Sequence, residues 1–177
     1  HIAAVGYELY CQLLENAVRV MKREPLRAPM EVNIELPIEA YLPRDYVNGQ
    51  KTRIEVYRRL ARIKLLPRLD EFREELSDRF GPIPEVAEWL LRLQELRILS
   101  ANWRIGDIHL EGPPEGLTTG AHYLVLRYKG PKKIKELAAR CEELRIADDE
   151  SAYYKLGEQE RHPEALYALV CEMLRDG

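Results

Sequence analysis

The sequence predicts an α+β fold in which amphipathic helices pack on a small, mostly antiparallel sheet. Segments with apolar residues at helical spacing are mixed with segments of period-two alternation, and no regular βαβ repeat orders them. A chain of 177 residues that is 46% hydrophobic and 32% charged has the size and composition of one soluble globular domain. A glycine–proline break at residues 81–84 leaves open a division of that domain into two lobes.

The first predicted elements are a helix and a strand. The helix covers residues 5–21, where Leu9, Leu13, Ala17 and Met21 recur at helical spacing. Residues 31–36 alternate polar and apolar side chains, which predicts a strand with one solvent-facing side. Pro37 and Pro43 bracket an extended connection, because the residue before a proline is driven out of helical geometry.

Three further helices are predicted before residue 104. One follows a turn at Asn48-Gly49 and is expected to end at Pro67, and a second runs from Leu69 to a left-handed cap at Gly81. A long third helix begins at Pro84, where proline suits a first turn. The residues expected to face inward are Ile54, Tyr57, Ala61 and Leu65 in the first of these helices, Phe72, Leu76 and Phe80 in the second, and Val86, Leu90, Leu93 and Trp103 in the third.

The second half of the chain changes character. Residues 105–110, 122–128 and 152–156 read as strands, and a glycine- and proline-rich loop at 112–116 separates the first two. Two helices complete the prediction, one over residues 131–144 and one beginning at Pro163. Their expected inward residues are Ile134, Leu137, Ala138 and Cys141, followed by Leu166, Leu169, Val170 and Met173.

Bulk properties exclude several classes of protein. The formal charge of -3 argues against wholesale wrapping of nucleic acid, so such a contact would need a local patch. The three cysteines have no metal-ligand or disulfide-framework spacing, and we interpret them as buried thiols of a reduced, cytoplasmic protein. No membrane span or signal peptide is recognised. The chain does not begin with methionine, and we expect it to be a fragment of a larger protein.

The sequence offers no positive support for an enzyme. Phosphate-binding, nucleophile-elbow and zinc-protease motifs are all missing from it. His109 and His122 lie in predicted strands, where an ordinary half-exposed histidine is the expectation. We therefore predict no catalytic residues, no metal and no cofactor in this domain. A hydrolytic enzyme of unrecognised type stays open, because catalytic groups are assembled in space.

Two neighbouring segments carry opposite charge. Residues 51–68 are strongly basic with little local compensation, so this helix is either a solvated face or a contact to phosphates. The acidic residues that follow are spaced i, i+3, i+4 and i+7 and share one helix face, so they are either solvated or a docking site for a partner's arginines. The candidate nucleic-acid contacts are Lys51, Arg58, Arg59 and Arg62, and the candidate docking residues are Glu71, Glu74, Glu75 and Asp78.

Several motifs in order resemble the C-terminal domain of the bacterial transcription-repair coupling factor family. Residues 5–15, 32–36 and 40–47 resemble successive blocks of that family, and 53–60 follow. The most specific motif is Glu75-Leu76-Ser77-Asp78-Arg79-Phe80-Gly81-Pro82-Ile83-Pro84. The similarity extends to about residue 106.

The resemblance implies a regulatory role. In that family, this domain ends a large multidomain ATPase that removes stalled RNA polymerase from damaged DNA, and it does not itself hydrolyse ATP. It is thought to pack on the factor's own UvrB-like module and to cover the UvrA-recruiting surface until polymerase engages. The family's docking carboxylates correspond to Glu75 and Asp78.

On this interpretation, residues 1–177 form a single C-terminal regulatory domain, and residues 1–6 end the upstream motor region. The expected partners are the UvrB-like module directly, and UvrA and RNA polymerase indirectly, with DNA bound by the parent protein and no membrane. A module that contacts DNA or polymerase through the basic helix 51–68 is the alternative.

Overall fold

The computed structural model describes residues 31–113 and 120–175, and these divide into two compact units. The first unit contains Leu42–Ile83, and the second contains the segment up to Tyr41 together with the chain from Pro84 onward. The predicted helix at 5–21, the upstream boundary at 1–6 and Cys11 lie outside the described residues. Helices and a mixed, mostly antiparallel sheet confirm the α+β class.

The described part of the first unit contains two helices, α1 (Gln50–Arg62) and α2 (Leu66–Phe80). Their buried residues are Val56 and Leu60 in α1, and Leu69, Phe72 and Leu76 in α2. Hydrogen bonds of two tyrosine hydroxyls hold the segment before α1, residues 42–49, in place. The Tyr57 hydroxyl accepts a hydrogen bond from the Leu42 amide at 2.7 Å, and the Tyr46 hydroxyl lies 3.2 Å from the carbonyl oxygens of Leu76 and Gly81.

The structure corrects the predicted boundary between these helices. Pro67 does not end α1, which stops at Arg62, but lies in the first turn of α2. A proline is tolerated there because the first amides of a helix have no intrahelical acceptor. Leu65 precedes α2 and is 63% exposed, so its predicted inward orientation is wrong.

The predicted inward face of α1 is also displaced. Val56 and Leu60 are buried, whereas Ile54, Tyr57 and Ala61 are only half-buried. Spacing alone does not determine which apolar residues of an amphipathic helix are covered, because the elements packed against it decide that.

The end of α2 differs from the prediction in two details. Phe80 is half-buried and packs edge-on against the Tyr46 ring, with the ring centroids 5.9 Å apart. Gly81 has the expected positive φ of 88°, but its ψ of -169° lies outside the left-handed helical region. The cap therefore uses a conformation that is essentially restricted to glycine.

The second unit contains a five-stranded sheet. Its strands are β1 (Asn33–Glu35), β2 (Ile105–Glu111), β3 (His122–Tyr128), β4 (Leu144–Ile146) and β5 (Ser151–Leu156). The spatial order is β1-β2-β3-β5-β4, with β1 and β2 parallel and every other pair antiparallel. The predicted strands at 31–36, 105–110, 122–128 and 152–156 are confirmed, with ends that differ by a few residues.

Three helices accompany this sheet: α3 (Glu85–Asn102), α4 (Pro131–Arg140) and α5 (Pro163–Leu174). A short 3-10 helix, Gln159–Arg161, precedes α5. The predicted start of α5 at Pro163 is confirmed. Leu166, Val170 and Met173 are buried as expected, and Leu169 is half-buried.

Burial around α3 differs from the predicted single stripe. Val86, Leu90 and Leu93 are half-buried, and the buried residues occupy several sides of the helix. They are Ala87, Trp89, Leu91, Gln94, Leu96, Ile98, Leu99 and Ser100. Trp103 is buried as predicted, but it lies just beyond the helix, and its indole N–H donates to the Leu174 carbonyl at 2.8 Å. Because the helix is covered on several sides, its apolar residues do not form a single stripe, and helical spacing alone could not predict which of them are buried.

The predicted helix at 131–144 is too long. It ends at Arg140, and Leu144 begins β4, which the sequence analysis missed. Ile134 and Leu137 are buried, whereas Ala138 and Cys141 are half-buried. Leu144 continues the helical spacing of Ile134, Leu137 and Cys141, which hides this strand in the sequence, so its pairing with β5 is what defines it. Among the helices that the structure describes, none is long and apolar enough to cross a membrane.

Candidate docking site

The acidic residues of α2 lie at its surface. Glu71, Glu74 and Asp78 are exposed, and Glu75 is half-buried. On a helix, residues three and four positions apart are neighbours, so Asp78 adjoins both Glu74 and Glu75. The predicted acidic stripe is thus a continuous surface feature, and its members differ in their partners.

Glu75 is bound to Arg59 of the preceding helix. The two terminal nitrogens of the Arg59 guanidinium donate to the two Glu75 carboxylate oxygens at 2.6 and 2.5 Å. This paired geometry is the strongest form of contact between arginine and carboxylate. The hydrogen bonds lower the pKa of Glu75 and raise the pKa of Arg59. Both side chains are about 40% exposed, so water screens the pair.

Arg59 has a second contact on the same side of α1. Its guanidinium lies over the Phe72 ring, 5.1 Å from the ring centroid. Phe72 is itself buried in the unit's core. The arginine is therefore held between a carboxylate and an aromatic face, both supplied by α2.

The remaining carboxylates of the stripe fall into two classes. Glu71 accepts a hydrogen bond from Arg68 at 2.6 Å, a neighbour one turn earlier. Glu74 and Asp78 make no ion pair or side-chain hydrogen bond with any residue in the described ranges. We refer to Glu74, Glu75 and Asp78 as the carboxylate patch, in which two members are unpaired and Glu75 is paired.

A shallow groove of about 480 Å³ lies beside the Arg59–Glu75 pair. Its apolar wall includes the exposed Leu65. Arginine and lysine side chains at the end of α1 and the start of α2 form much of its rim. The carboxylate patch and a cationic groove therefore adjoin on one small helical unit.

The structure places the predicted nucleic-acid contacts in different environments. Lys51 and Arg62 are exposed, but Arg59 is engaged with Glu75. Arg58 is half-buried, and its Nε is buried without a hydrogen-bond partner in the described structure. The four cations therefore do not form one uniform phosphate-binding row.

The pairing of Arg59 with Glu75 is the main feature that the sequence analysis missed. The two residues were assigned to opposing hypotheses, one to nucleic acid and one to a protein partner. A signal was present, since a basic segment and an acidic segment follow each other closely. Opposite charges on consecutive helices favour pairing when the helices pack together.

The two strand histidines take part in separate side-chain contacts. His109 Nδ1 lies 2.5 Å from an Asp107 carboxylate oxygen, and its Nε2 lies 3.3 Å from Glu111. The Asn33 amide donates to the other Asp107 oxygen at 2.9 Å, which links β1 to β2. His122 lies 3.4 Å from an Arg161 nitrogen. Across the described ranges, no three histidine, cysteine or acidic side chains are placed to hold a metal ion.

The thiols differ from the prediction in one case. Cys171 is buried, and burial raises its pKa to about 11, which keeps the thiol protonated. Cys141 is only half-buried, because α4 ends before reaching it. Neither thiol is in a disulfide.

Comparison with known proteins identifies a protein family that matches the region containing the carboxylate patch. A protein-family model described as "TRCF domain" matches residues 36–118. The chain carries a TRCF domain. The matched segment includes all of α1 and α2, so Arg59 and the carboxylate patch lie inside it. The resemblance to transcription-repair coupling factors is thereby confirmed.

Curated relatives of this TRCF domain are bacterial transcription-repair-coupling factors. The factor of Staphylococcus haemolyticus is 40% identical over 100 residues, which are 55% of this chain and 8% of the relative. The factor of Haemophilus influenzae is 39% identical over 103 residues, 55% of this chain and 9% of the relative. The chain thus spans less than a tenth of the length of these relatives.

A solved structure shares the fold. The crystal structure of the C-terminal domain of a transcription-repair coupling factor superposes with a TM-score of 0.64 at 19% identity. The superposition covers 81% of this chain and 89% of the other. The fold likeness therefore extends well beyond the segment matched by the family model.

Proposed function

We propose that this TRCF domain is a non-catalytic, autoinhibitory docking domain. It packs on the UvrB-like module of its parent protein and masks the surface that binds UvrA until RNA polymerase engages. The observation that carries the proposal is the carboxylate patch: among the described residues, Glu74 and Asp78 have no ion-pair partner at the surface, beside a Glu75 that already binds one guanidinium in a two-bond geometry. Such a patch suits arginines on a partner.

The surroundings of the patch support a reversible contact. Removing one carboxylate of a buried, hydrogen-bonded charge pair typically costs ~2–5 kcal/mol of binding free energy, whereas removing one at a wet rim costs far less. Glu74 and Asp78 protrude from a helix rather than line a deep cavity, which favours the weaker regime. Tethering within one parent chain raises the effective concentration, so a weak contact can still close.

The test is titration calorimetry of this domain, at high micromolar concentration, against the UvrB-like module of its own parent protein. We expect the wild type to bind and the Glu75→Ala/Asp78→Ala double variant to lose that binding. The matched control is Glu142→Ala/Glu143→Ala, which removes the same charge from two exposed residues elsewhere. Equal binding by all three proteins, or none by the wild type, would contradict the proposal.

The same preparation distinguishes the alternative function. Titration with duplex DNA at increasing salt measures any contact through the basic helix, because affinity from phosphate contacts falls steeply with salt. DNA binding that Lys51→Ala/Arg62→Ala abolishes, together with no binding to the UvrB-like module, would replace docking by a nucleic-acid function.

A further inference from the structure

We propose that Arg59 is a built-in competitor for the partner's arginine. It occupies the Glu75 carboxylate within the domain and thereby weakens docking to a level that can be reversed. This inference rests on the proposed docking function and adds that the Arg59–Glu75 pair limits the docking affinity.

The hydrogen-bond geometry supplies the first step of the argument. A carboxylate offers about four lone-pair sites on two oxygens. Arg59 uses one site on each Glu75 oxygen, in the parallel arrangement that an incoming guanidinium would also need. A partner arginine can therefore form the two-bond contact to Glu75 only after Arg59 leaves.

Charge supplies the second step. While Arg59 is in place, Glu75 is already neutralised, and the arginine's own positive charge repels an approaching cation. Glu74 and Asp78 carry no such internal partner among the residues described. A partner's arginine can therefore contact Glu74 and Asp78 directly. It can pair with Glu75 only by replacing Arg59.

Release of Arg59 is feasible because its surroundings are partly open. Its side chain is 40% exposed, so solvent can replace the lost contacts. The Phe72 ring, 5.1 Å from the guanidinium, and the adjacent groove give the displaced arginine a place to remain on the same unit.

The test compares docking affinities by calorimetry against the UvrB-like module. Removal of the competitor in Arg59→Gln is expected to strengthen docking about fivefold, equivalent to the upper range of an exposed ion pair. The matched control is Arg68→Gln, which removes the same charge from the same groove but is paired with Glu71. Its affinity should change by less than about twofold.

Two further measurements separate competition from a general charge effect. In the Glu75→Gln background, Arg59→Gln should no longer strengthen docking, because the competed carboxylate is gone. Docking by the single variant Arg59→Gln should also depend more steeply on salt than docking by the wild type. The wild type exchanges one ion pair for another, whereas the variant forms a new one.

The outcomes are distinguishable from failure of the docking function itself. If Arg59→Gln weakens docking, Arg59 positions Glu75 instead of competing for it, and the inference is wrong. Equal gains from Arg59→Gln and Arg68→Gln also overturn it, while loss of binding in Glu75→Ala/Asp78→Ala keeps the docking function intact. If neither the wild type nor Arg59→Gln binds, both proposals are overturned.

Discussion

Arg59 and Glu75, sixteen residues apart, join α1 to α2 through a pair of parallel hydrogen bonds. The contact connects a basic segment to an acidic one, each of which would suit a different partner if considered alone. Because the two charges satisfy each other, neither segment presents its full charge to solvent. Glu74 and Asp78, which have no ion-pair partner within residues 31–113 and 120–175, then become the most available carboxylates of α2.

The Arg59–Glu75 pair is expected to make a small contribution to stability. A double-mutant cycle with Arg59→Ala and Glu75→Ala, measured by chemical denaturation, should give a coupling free energy of ~0.2–1 kcal/mol, as for other partly exposed pairs. The cycle Arg68→Ala with Glu71→Ala should give less, because those side chains are 68% and 61% exposed. A coupling well above this range would mean that the pair is effectively buried.

The core of the first unit should depend on Leu69 and not on Leu65. Leu69 is 2% exposed, so Leu69→Ala removes buried methyl groups and is expected to lower the free energy of unfolding by ~2–5 kcal/mol. Leu65 is 63% exposed, and Leu65→Ala should change it by no more than ~0.5 kcal/mol. Urea denaturation of the two variants, which delete the same atoms, tests the difference. Similar losses would show that Leu65 is covered in solution.

Gly81 should tolerate neither alanine nor asparagine. Its φ of 88° and ψ of -169° define a region that is essentially restricted to glycine, so Gly81→Ala should cost ~1–3 kcal/mol of unfolding free energy. No heavy atom lies within 4 Å of an added Cβ, so the cost is conformational rather than steric. Asparagine rescues left-handed helical positions, but it should not rescue this one. Near-wild-type stability of Gly81→Asn in thermal denaturation would place Gly81 in the left-handed region.

Alkaline pH should destabilise the second unit through Tyr154. Burial, and then the nearby Glu160 carboxylate, raise the pKa of Tyr154 to about 12. An unfolded tyrosine titrates near ~10, so the folded state retains its proton more tightly and its stability is fully present below that pH. The free energy of unfolding should fall as pH rises from about 10 to about 12.

Tyr154→Phe is the matched variant for the alkaline experiment, because it deletes only the titrating hydroxyl. In this variant the free energy of unfolding, measured by denaturation at successive pH values, should fall less steeply above about pH 10 than in the wild type. The remainder comes from Tyr128, Tyr167 and the thiols of Cys141 and Cys171, whose pKa values burial also raises. An unchanged slope in Tyr154→Phe would mean that this hydroxyl titrates at its ordinary value in the folded protein.

Local patterns were enough to predict most of the regular elements. Strands β2, β3 and β5 follow from short runs rich in apolar and aromatic residues, bounded by turn residues such as the glycine- and proline-rich loop at 112–116. The starts of α3 and α5 follow from Pro84 and Pro163, because proline fits the first turn and little else in a helix. Pro67 shows the ambiguity of the same signal, since a proline that opens one helix also looks like the end of the one before it.

The α+β class, the positions of these elements and the two oppositely charged segments could be predicted from the sequence, since each depends on residues close together in the chain. The covered faces of α1 and α3, the pairing of Leu144 in a strand and the contact of Arg59 with Glu75 became evident only in the folded chain. These depend on contacts between separate elements, and the energy of such a contact is set by packing distance rather than by spacing along the chain.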